Sequence, residues 1–193
     1  MFYSPSLNKA ASKLTTRGAL QYVYQDPNGG EFVASDGKIM LVENNGTPFM
    51  AKFWDTITQM PTDCTEEYPD WRAVLLRGVE NANRLWLDDK VLLQDGFAIF
   101  DRLYTSAKIY QLVQDFIGPE MVINISNALG SAIYFRNADA SRQALIMPYM
   151  LYPETVDKAK WNVLDPQGTI IHTCKDIKEA EIFGLTVQLV GEK

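Results

Sequence analysis

The chain has 193 residues, 47% hydrophobic and 22% charged, with a net charge of −6. That length holds one domain with an appendage or two small domains, and the ordinary composition excludes a fibrous or disordered chain. The acidic balance argues against unspecific nucleic-acid binding, and no apolar run nears the ~18 residues of a membrane-spanning helix.

Ser6–Leu14 predicts a short helix with Leu7, Ala10, Ala11 and Leu14 on one face. Gly18 to Glu43 predicts an antiparallel meander with strands Ala19–Tyr24, Glu31–Ser35 and Ile39–Val42. Its first turn is Asp26-Pro27-Asn28-Gly29-Gly30, where Pro presets φ and Asn and Gly tolerate positive φ. Its second is Asp36-Gly37, a two-residue hairpin signal. Leu20, Tyr22 and Tyr24 should share one face, and Ala19, Gln21 and Val23 the other. Phe49–Met60 is ambiguous: Phe49, Phe53, Trp54 and Ile57 have helical spacing, and Pro61 would stop a helix. Thr62–Arg84 reads as a charged linker. Leu85–Leu93 reads as a strand or hairpin arm around Asp88-Asp89, and Phe97–Phe100 as a strand.

Ser106–Ile117 is the clearest helix, with Ile109, Leu112, Val113 and Phe116 on its apolar stripe and Gly118-Pro119 ending it. Met121–Asn127, Ala132–Asn137 and Gln143–Met150 predict a second meander. The order strand, helix, three strands is thus used twice. After Leu151, Trp161–Leu164 and Thr169–Thr173 predict two strands around Asp165-Pro166-Gln167-Gly168. Asp176 with Glu179 then forms a capping box for a helix bearing Ile177, Ala180, Phe183 and Val187, and Trp161 should be buried in this ββα unit.

No catalytic pattern accompanies these elements. The single histidine, His172, falls in a strand without a nucleophile motif beside it. Glu66-Glu67 and Asp88-Asp89 are adjacent acids, which point to opposite faces of an extended chain and make no natural dyad. There is no glycine-rich phosphate loop and no zinc motif, and Cys64 and Cys174 have no metal spacing. No enzyme activity, cofactor or metal is expected. Without an apolar signal segment at MFYSPSLNKAASKL, the expected compartment is the cytoplasm, with reduced thiols.

Three segments carry a family resemblance. Phe32-Val33-Ala34-Ser35-Asp36-Gly37-Lys38 resembles the "ATDGH" strand-turn-strand of the bacterial DNA polymerase III beta sliding clamp family. Tyr68-Pro69-Asp70-Trp71-Arg72-Ala73-Val74-Leu75 resembles its "FPDYRRVLP" linker, with Leu76 near the place of the linker's proline. Ala144-Leu145-Ile146-Met147-Pro148-Tyr149-Met150-Leu151 resembles its "YVVMPMRL" segment, with Met150 where the family has arginine. The resemblance implies an α+β, DNA-clamp-like domain over residues 1–151, with duplicated strand-helix-three-strand halves and antiparallel sheets. Residues 152–193 lie outside it as a small ββα appendage. Trp71, in place of the linker's tyrosine, would lie as a strap over the sheet.

The implied function is non-catalytic and associated with DNA replication, in the manner of a processivity factor. The family segment matching Leu145–Leu151 helps line an apolar groove for short linear motifs. Leu145, Met147, Pro148 and Met150 are therefore the candidate partner-binding residues, and flexible methionine suits such a groove. Clamps encircle DNA with helices whose cations face the phosphates. Lys9, Lys13, Arg17 and Lys108 are the candidate DNA-binding residues, opposed by Asp115 on the helix of Lys108. The implied partners are double-stranded DNA and replication proteins carrying short apolar motifs. A homo-oligomer is also implied, because the resemblance covers about one of the six domains of a ring. The alternative is an interaction module that keeps the clamp fold without encircling DNA.

Overall fold

The computed structural model describes residues 3–14, 16–44, 52–101, 103–126, 131–150, 161–164, 170–174 and 186–189. It divides into two units, Met1–Met150 and Leu151–Lys193.

In the first unit the Ser4 side chain caps helix α1 (Pro5–Ala11), accepting from the Leu7 N–H at 3.1 Å. Pro5 takes the first helical position, where a missing N–H loses no bond. Glu43 fastens this cap to the sheet: its Oε1 accepts from the Ser4 backbone N at 2.8 Å, and its Oε2 accepts from the Ser4 hydroxyl. Leu7, Ala10 and Ala11 are buried beneath the helix.

The expected first strand starts late. Gly18–Gln21 winds into a 3-10 turn, with Gly18 at φ +60° and the Ala19 N–H donating to Glu66 Oε2 at 2.9 Å. Only β1 (Val23–Gln25) is extended, so the alternation expected from Ala19 onward holds from Val23. Asp26 then builds the turn: its Oδ1 accepts from Asn28 N at 2.7 Å, and Gly30 follows at φ +77°. β2 (Glu31–Ser35) and β3 (Ile39–Asn44) are joined by residues 36–38, one more than a two-residue turn. Asp36 Oδ1 accepts from the N–H groups of Lys38 and Ile39, and Gly37 takes the φ of +84° that a residue with a side chain rarely adopts.

The ambiguous segment is not helical where it is described. β4 (Lys52–Trp54) pairs with β1, and β5 (Pro61–Thr62) pairs with β4. Asp55 accepts from the N–H groups of Ile57 and Thr58 and so closes a turn in place of a helix. Ile57 is 88% exposed, so its helical spacing from Phe53 and Trp54 does not mark a buried face. The expected linker contains helix α2 (Trp71–Asn81). The stretch after it splits into two short strands, β6 (Arg84–Trp86) and β7 (Leu92–Gln94), around a 3-10 turn at Asp88–Lys90. β8 (Phe97–Phe100) and β9 (Leu103–Ser106) lead into α3 (Ala107–Ile117), whose Ser106 cap accepts from Lys108 N at 3.2 Å. The chain then forms β10 (Val122–Ile125), β11 (Ile133–Arg136) and β12 (Arg142–Ile146). The last expected strand is broken: Met147-Pro148 carries the chain out of one sheet, and β13 (Tyr149–Met150) pairs with β9 of another. Proline lacks the N–H that would continue the ladder.

All strand pairs are antiparallel. A nine-stranded sheet runs β5-β4-β1-β2-β3-β12-β11-β10-β6, and a four-stranded sheet runs β13-β9-β8-β7. Val23, Phe32, Leu41, Ile123, Phe135 and Ala144 face the core shared with α1 and α3. Val33, Met40, Val42, Tyr134 and Leu145 pack on the other face around Trp71 of α2. The central strands β2, β3 and β12 are thus covered on both sides, which accounts for their unbroken apolar runs. α3 contacts β8 and β9 of one sheet and β11 and β12 of the other, with Leu112, Val113 and Phe116 buried and Ile109 half-buried.

The second unit contains β14 (Trp161–Leu164), β15 (Ile170–Cys174) and β16 (Thr186–Leu189), in the order β15-β14-β16. The ββα expectation is corrected at its end. Val187, assigned above to a helical stripe, lies on a strand opposite Val163. Thr-Val-Gln-Leu alternates with the period of a strand, and Gly184 precedes it. Asp176, Glu179, Ile177, Ala180 and Phe183 lie outside the described residues, as does the side chain of Trp161.

Phe116 is fully buried between α3 and the sheet. Phe116→Ala should lower the unfolding free energy by about 3–5 kcal/mol, read from urea denaturation of the whole chain.

Candidate partner-binding groove

Helix α2 is held by an acid at each of two points. Asp70 Oδ1 accepts from Ala73 N at 3.1 Å and caps the helix. Asp26, in the β1–β2 turn, receives the Trp71 indole at 2.9 Å and Arg72 Nε at 3.2 Å on Oδ2. Arg72 also reaches Glu31 at 2.7 Å, and its guanidinium lies 4.7 Å from the centre of the Trp71 ring. Burial pushes the Asp26 carboxyl up, but the hydrogen bonds from Arg72, Asn28 and Trp71, with the Arg72 charge, outweigh it. The net effect holds that carboxyl below the ordinary range.

Two turns along, Gly78 faces Leu145. A Cβ on Gly78 would fall 2.6 Å from Leu145 Cδ2, so glycine is what lets the helix approach the sheet this closely. The backbone before the helix is fixed by Tyr68, which stacks on Tyr24 with ring centres 4.7 Å apart. Burial first, then the neighbouring Tyr24, raises the pKa of the Tyr68 hydroxyl.

Between α2 and strands β3 and β12 lies a groove of about 340 Å³. Buried Met40, Trp71 and Leu145 form its floor, and Val74 and Met147, 47% and 51% exposed, form an open rim. Ser35, Lys38, Arg77 and Asn81 give it polar margins. The three segments that carry the family resemblance all reach this cavity. The first supplies Ser35 and Lys38, the second Tyr68, Pro69, Trp71 and Val74, the third Leu145 and Met147.

Of the candidate partner-binding residues, Leu145 and Met147 line the groove. Pro148 does not line it, because the chain turns there toward the second sheet, and Met150 sits on β13 with its side chain outside the described ones. Sequence reading missed Trp71, Val74, Gly78 and Arg77 as parts of one wall. The Asp70 cap followed by Trp71, Leu75, Gly78 and Ala82 at helical intervals is the signal that finds them. Exposed Val74, Leu76 and Val79 blur that stripe.

The candidate DNA-binding residues are only partly gathered. Lys9 of α1 lies 3.6 Å from Asp115 of α3, and Lys13 joins them at a cleft of about 200 Å³. Gln111, followed by Lys9 and Lys13, holds the Asp115 carboxyl below the usual range. Lys108 is exposed two turns earlier on α3, and exposed Arg17 does not line the cleft. Among the described residues no group of His, Cys, Asp and Glu could hold a metal ion, and no helix is long and apolar enough to cross a membrane.

Neither the protein-family models nor the curated proteins give a match to this chain. Among solved structures, the chain is similar to the Helicobacter pylori beta clamp bound to a DNA ligase peptide, with a TM-score of 0.50 at 11% identity. The match covers 76% of this chain and 63% of that one, so the chain spans less than two thirds of its neighbour's length. At that identity the likeness defines the fold: the protein is clamp-like, of mixed α and β structure with antiparallel sheets.

The lowered pKa of Asp26 gives a signed expectation. Its stabilisation is present in full above the unfolded carboxylate value of about 4 and is lost as pH falls through the lower folded value. Between pH 6 and about pH 2.5, Asp26→Asn should therefore lose less stability than the native chain, measured by urea midpoints at each pH.

Proposed function

We propose that this is a non-catalytic protein that acts beside DNA replication proteins by holding short apolar segments of them in the groove between α2 and strands β3 and β12. The observation that carries this reading is the arrival of the three clamp-like segments at one apolar cavity. The likeness to a beta clamp that carries a DNA ligase peptide supports the same use. On this reading α1–β1–β2–β3 and α3–β10–β11–β12 are the duplicated halves of one clamp domain in a cytoplasmic protein. Leu145 and Met147 hold the partner together with Trp71 and Val74.

The reading rests on groove chemistry. An extended peptide places alternate side chains toward a wall, and a floor of Leu, Met and Trp takes aliphatic or aromatic anchors. The half-exposed Val74 and Met147 offer area to cover without disturbing the core. Val74→Glu and Met147→Glu, singly, should keep the native melting temperature within a few degrees. Each should weaken binding of a labelled, end-blocked peptide with Leu and Phe anchors by about tenfold or more, by fluorescence anisotropy. Unchanged affinity in both variants would reject the groove.

A second reading, encirclement of DNA, is favoured by the placement of α1 and α3 together on one face of a clamp-like sheet. Lys9, Lys13, Arg17 and Lys108 would serve the phosphates, each giving a log–log salt slope of about −0.9. With so few cations, one copy should bind duplex DNA weakly, and useful retention requires a closed homo-oligomer. Native mass spectrometry and retention on circular DNA, released when the circle is cut, test it. A monomer with no retention at low salt rejects encirclement and leaves the groove reading intact.

A further inference from the structure

The charges around the groove differ from those of the chain. Its lining includes Lys38 and Arg77 and no Asp or Glu, in a protein of net charge −6. Four other cations pair with acids of this chain, Lys9 with Asp115, Arg72 with Asp26 and Glu31, Arg84 with Asp101 and Arg142 with Glu43, while exposed Lys13, Arg17, Lys90 and Lys108 are in none of these pairs. Lys38 and Arg77 take part in none of these pairs, and both are exposed.

Both cations stand on fixed backbone. The Lys38 carbonyl accepts from Met147 N at 2.8 Å, which ties the β2–β3 loop to the end of β12. Asp36, the nearest acid in sequence, spends Oδ1 on the N–H groups of Lys38 and Ile39. Arg77 lies one turn beyond Val74 and one turn before Asn81, and all three line the groove. The apolar floor is therefore flanked by one cation from the sheet side and one from the helix side.

We propose that the groove selects acidic apolar peptides: segments whose aliphatic or aromatic side chains fill the floor, and whose Asp or Glu side chains pair with Lys38 and Arg77. This inference rests on the groove reading above and adds the charge of the partner. An arginine fork matches a carboxylate with two parallel hydrogen bonds, and a lysine reaches one as a point charge. Exposed pairs of this kind add little affinity each. Their main effect is discrimination, since a basic peptide meets two like charges.

The test uses the whole chain and end-blocked seven-residue probes, which carry no terminal carboxylate. One probe has Leu and Phe anchors with two aspartates, a second replaces the aspartates with asparagine, and a third with lysine. At low salt the acidic probe should bind about 3- to 10-fold tighter than its asparagine analogue, and salt should erode the difference. In the charge-reversed double variant Lys38→Glu and Arg77→Glu, that ratio should fall to about one or below, and the lysine probe should gain affinity. Lys38→Arg and Arg77→Lys should keep the preference. A ratio of one in the native chain, or a ratio unchanged by reversal, overturns charge selection. The groove reading then survives if the asparagine probe binds and Val74→Glu or Met147→Glu weakens that binding. If no probe binds, or neither variant changes the binding, both readings fall.

Discussion

The structure depends on the pairing of β3 with β12. Each belongs to its own antiparallel meander, and each would otherwise be a sheet edge with a row of unpaired N–H and C=O groups. Five opposed residue pairs, from Glu43 with Arg142 to Ile39 with Ile146, merge the two into one nine-stranded sheet. The register also sorts the faces. Leu41 and Ala144 go to the core beneath α1 and α3, while Met40 and Leu145 go to the face covered by α2. A slip of one residue would exchange them and take Leu145 out of the groove.

The second constraint is the seating of α2. A helix laid over a sheet leaves no groove unless it is both close and offset, and two features set that position. Asp26 draws the N-terminal turn toward the β1–β2 loop through Trp71 and Arg72. Gly78 then lets the next turns approach Leu145. Glycine inside a helix costs about 1 kcal/mol against alanine, yet the alanine methyl here would collide with a side chain that is only 3% exposed. Contact geometry outweighs helix propensity at this position.

Much of the first unit is legible in sequence because its cues are local. Gly118 and the i, i+3, i+4 stripe announce α3, and Asp26 and Asp36 announce the turns. The clamp likeness is legible through three short segments although identity with the solved neighbour is 11%. What resists reading is set by distant contacts. Gly18–Gln21 leaves the strand because Glu66, 47 positions away, takes the Ala19 N–H. α2 is hidden because its covered side carries Gly78 and Ala82, which look like spacers, while apolar Val74, Leu76 and Val79 point to solvent. The groove is assembled from both faults: Leu145 and Met147 can be named from one segment, but their opposite wall belongs to a helix that reads as a linker.

The two faces of the large sheet carry their ion pairs differently, and this bears on the two proposed readings. On the α1 and α3 side, Glu43 is bound to the α1 cap and approached by Arg142, and Lys9 is held at Asp115. Asp115, like any ordinary carboxyl, is ionised near neutral pH, so a phosphate at Lys9 would have to displace that carboxylate or sit beside it. Binding by counterion release gains little where the cation is already neutralised from within. On the α2 side, Arg72 is consumed in seating the helix, but among the described residues Lys38 and Arg77 stand outside the ion pairs, at the edge of an apolar floor. Exposed Lys13 and Lys108, on the C-terminal side of α1 and on α3, are in none of these pairs either, so the two proposed readings differ in the anion each face would meet: phosphates beside α1 and α3, peptide carboxylates at Lys38 and Arg77.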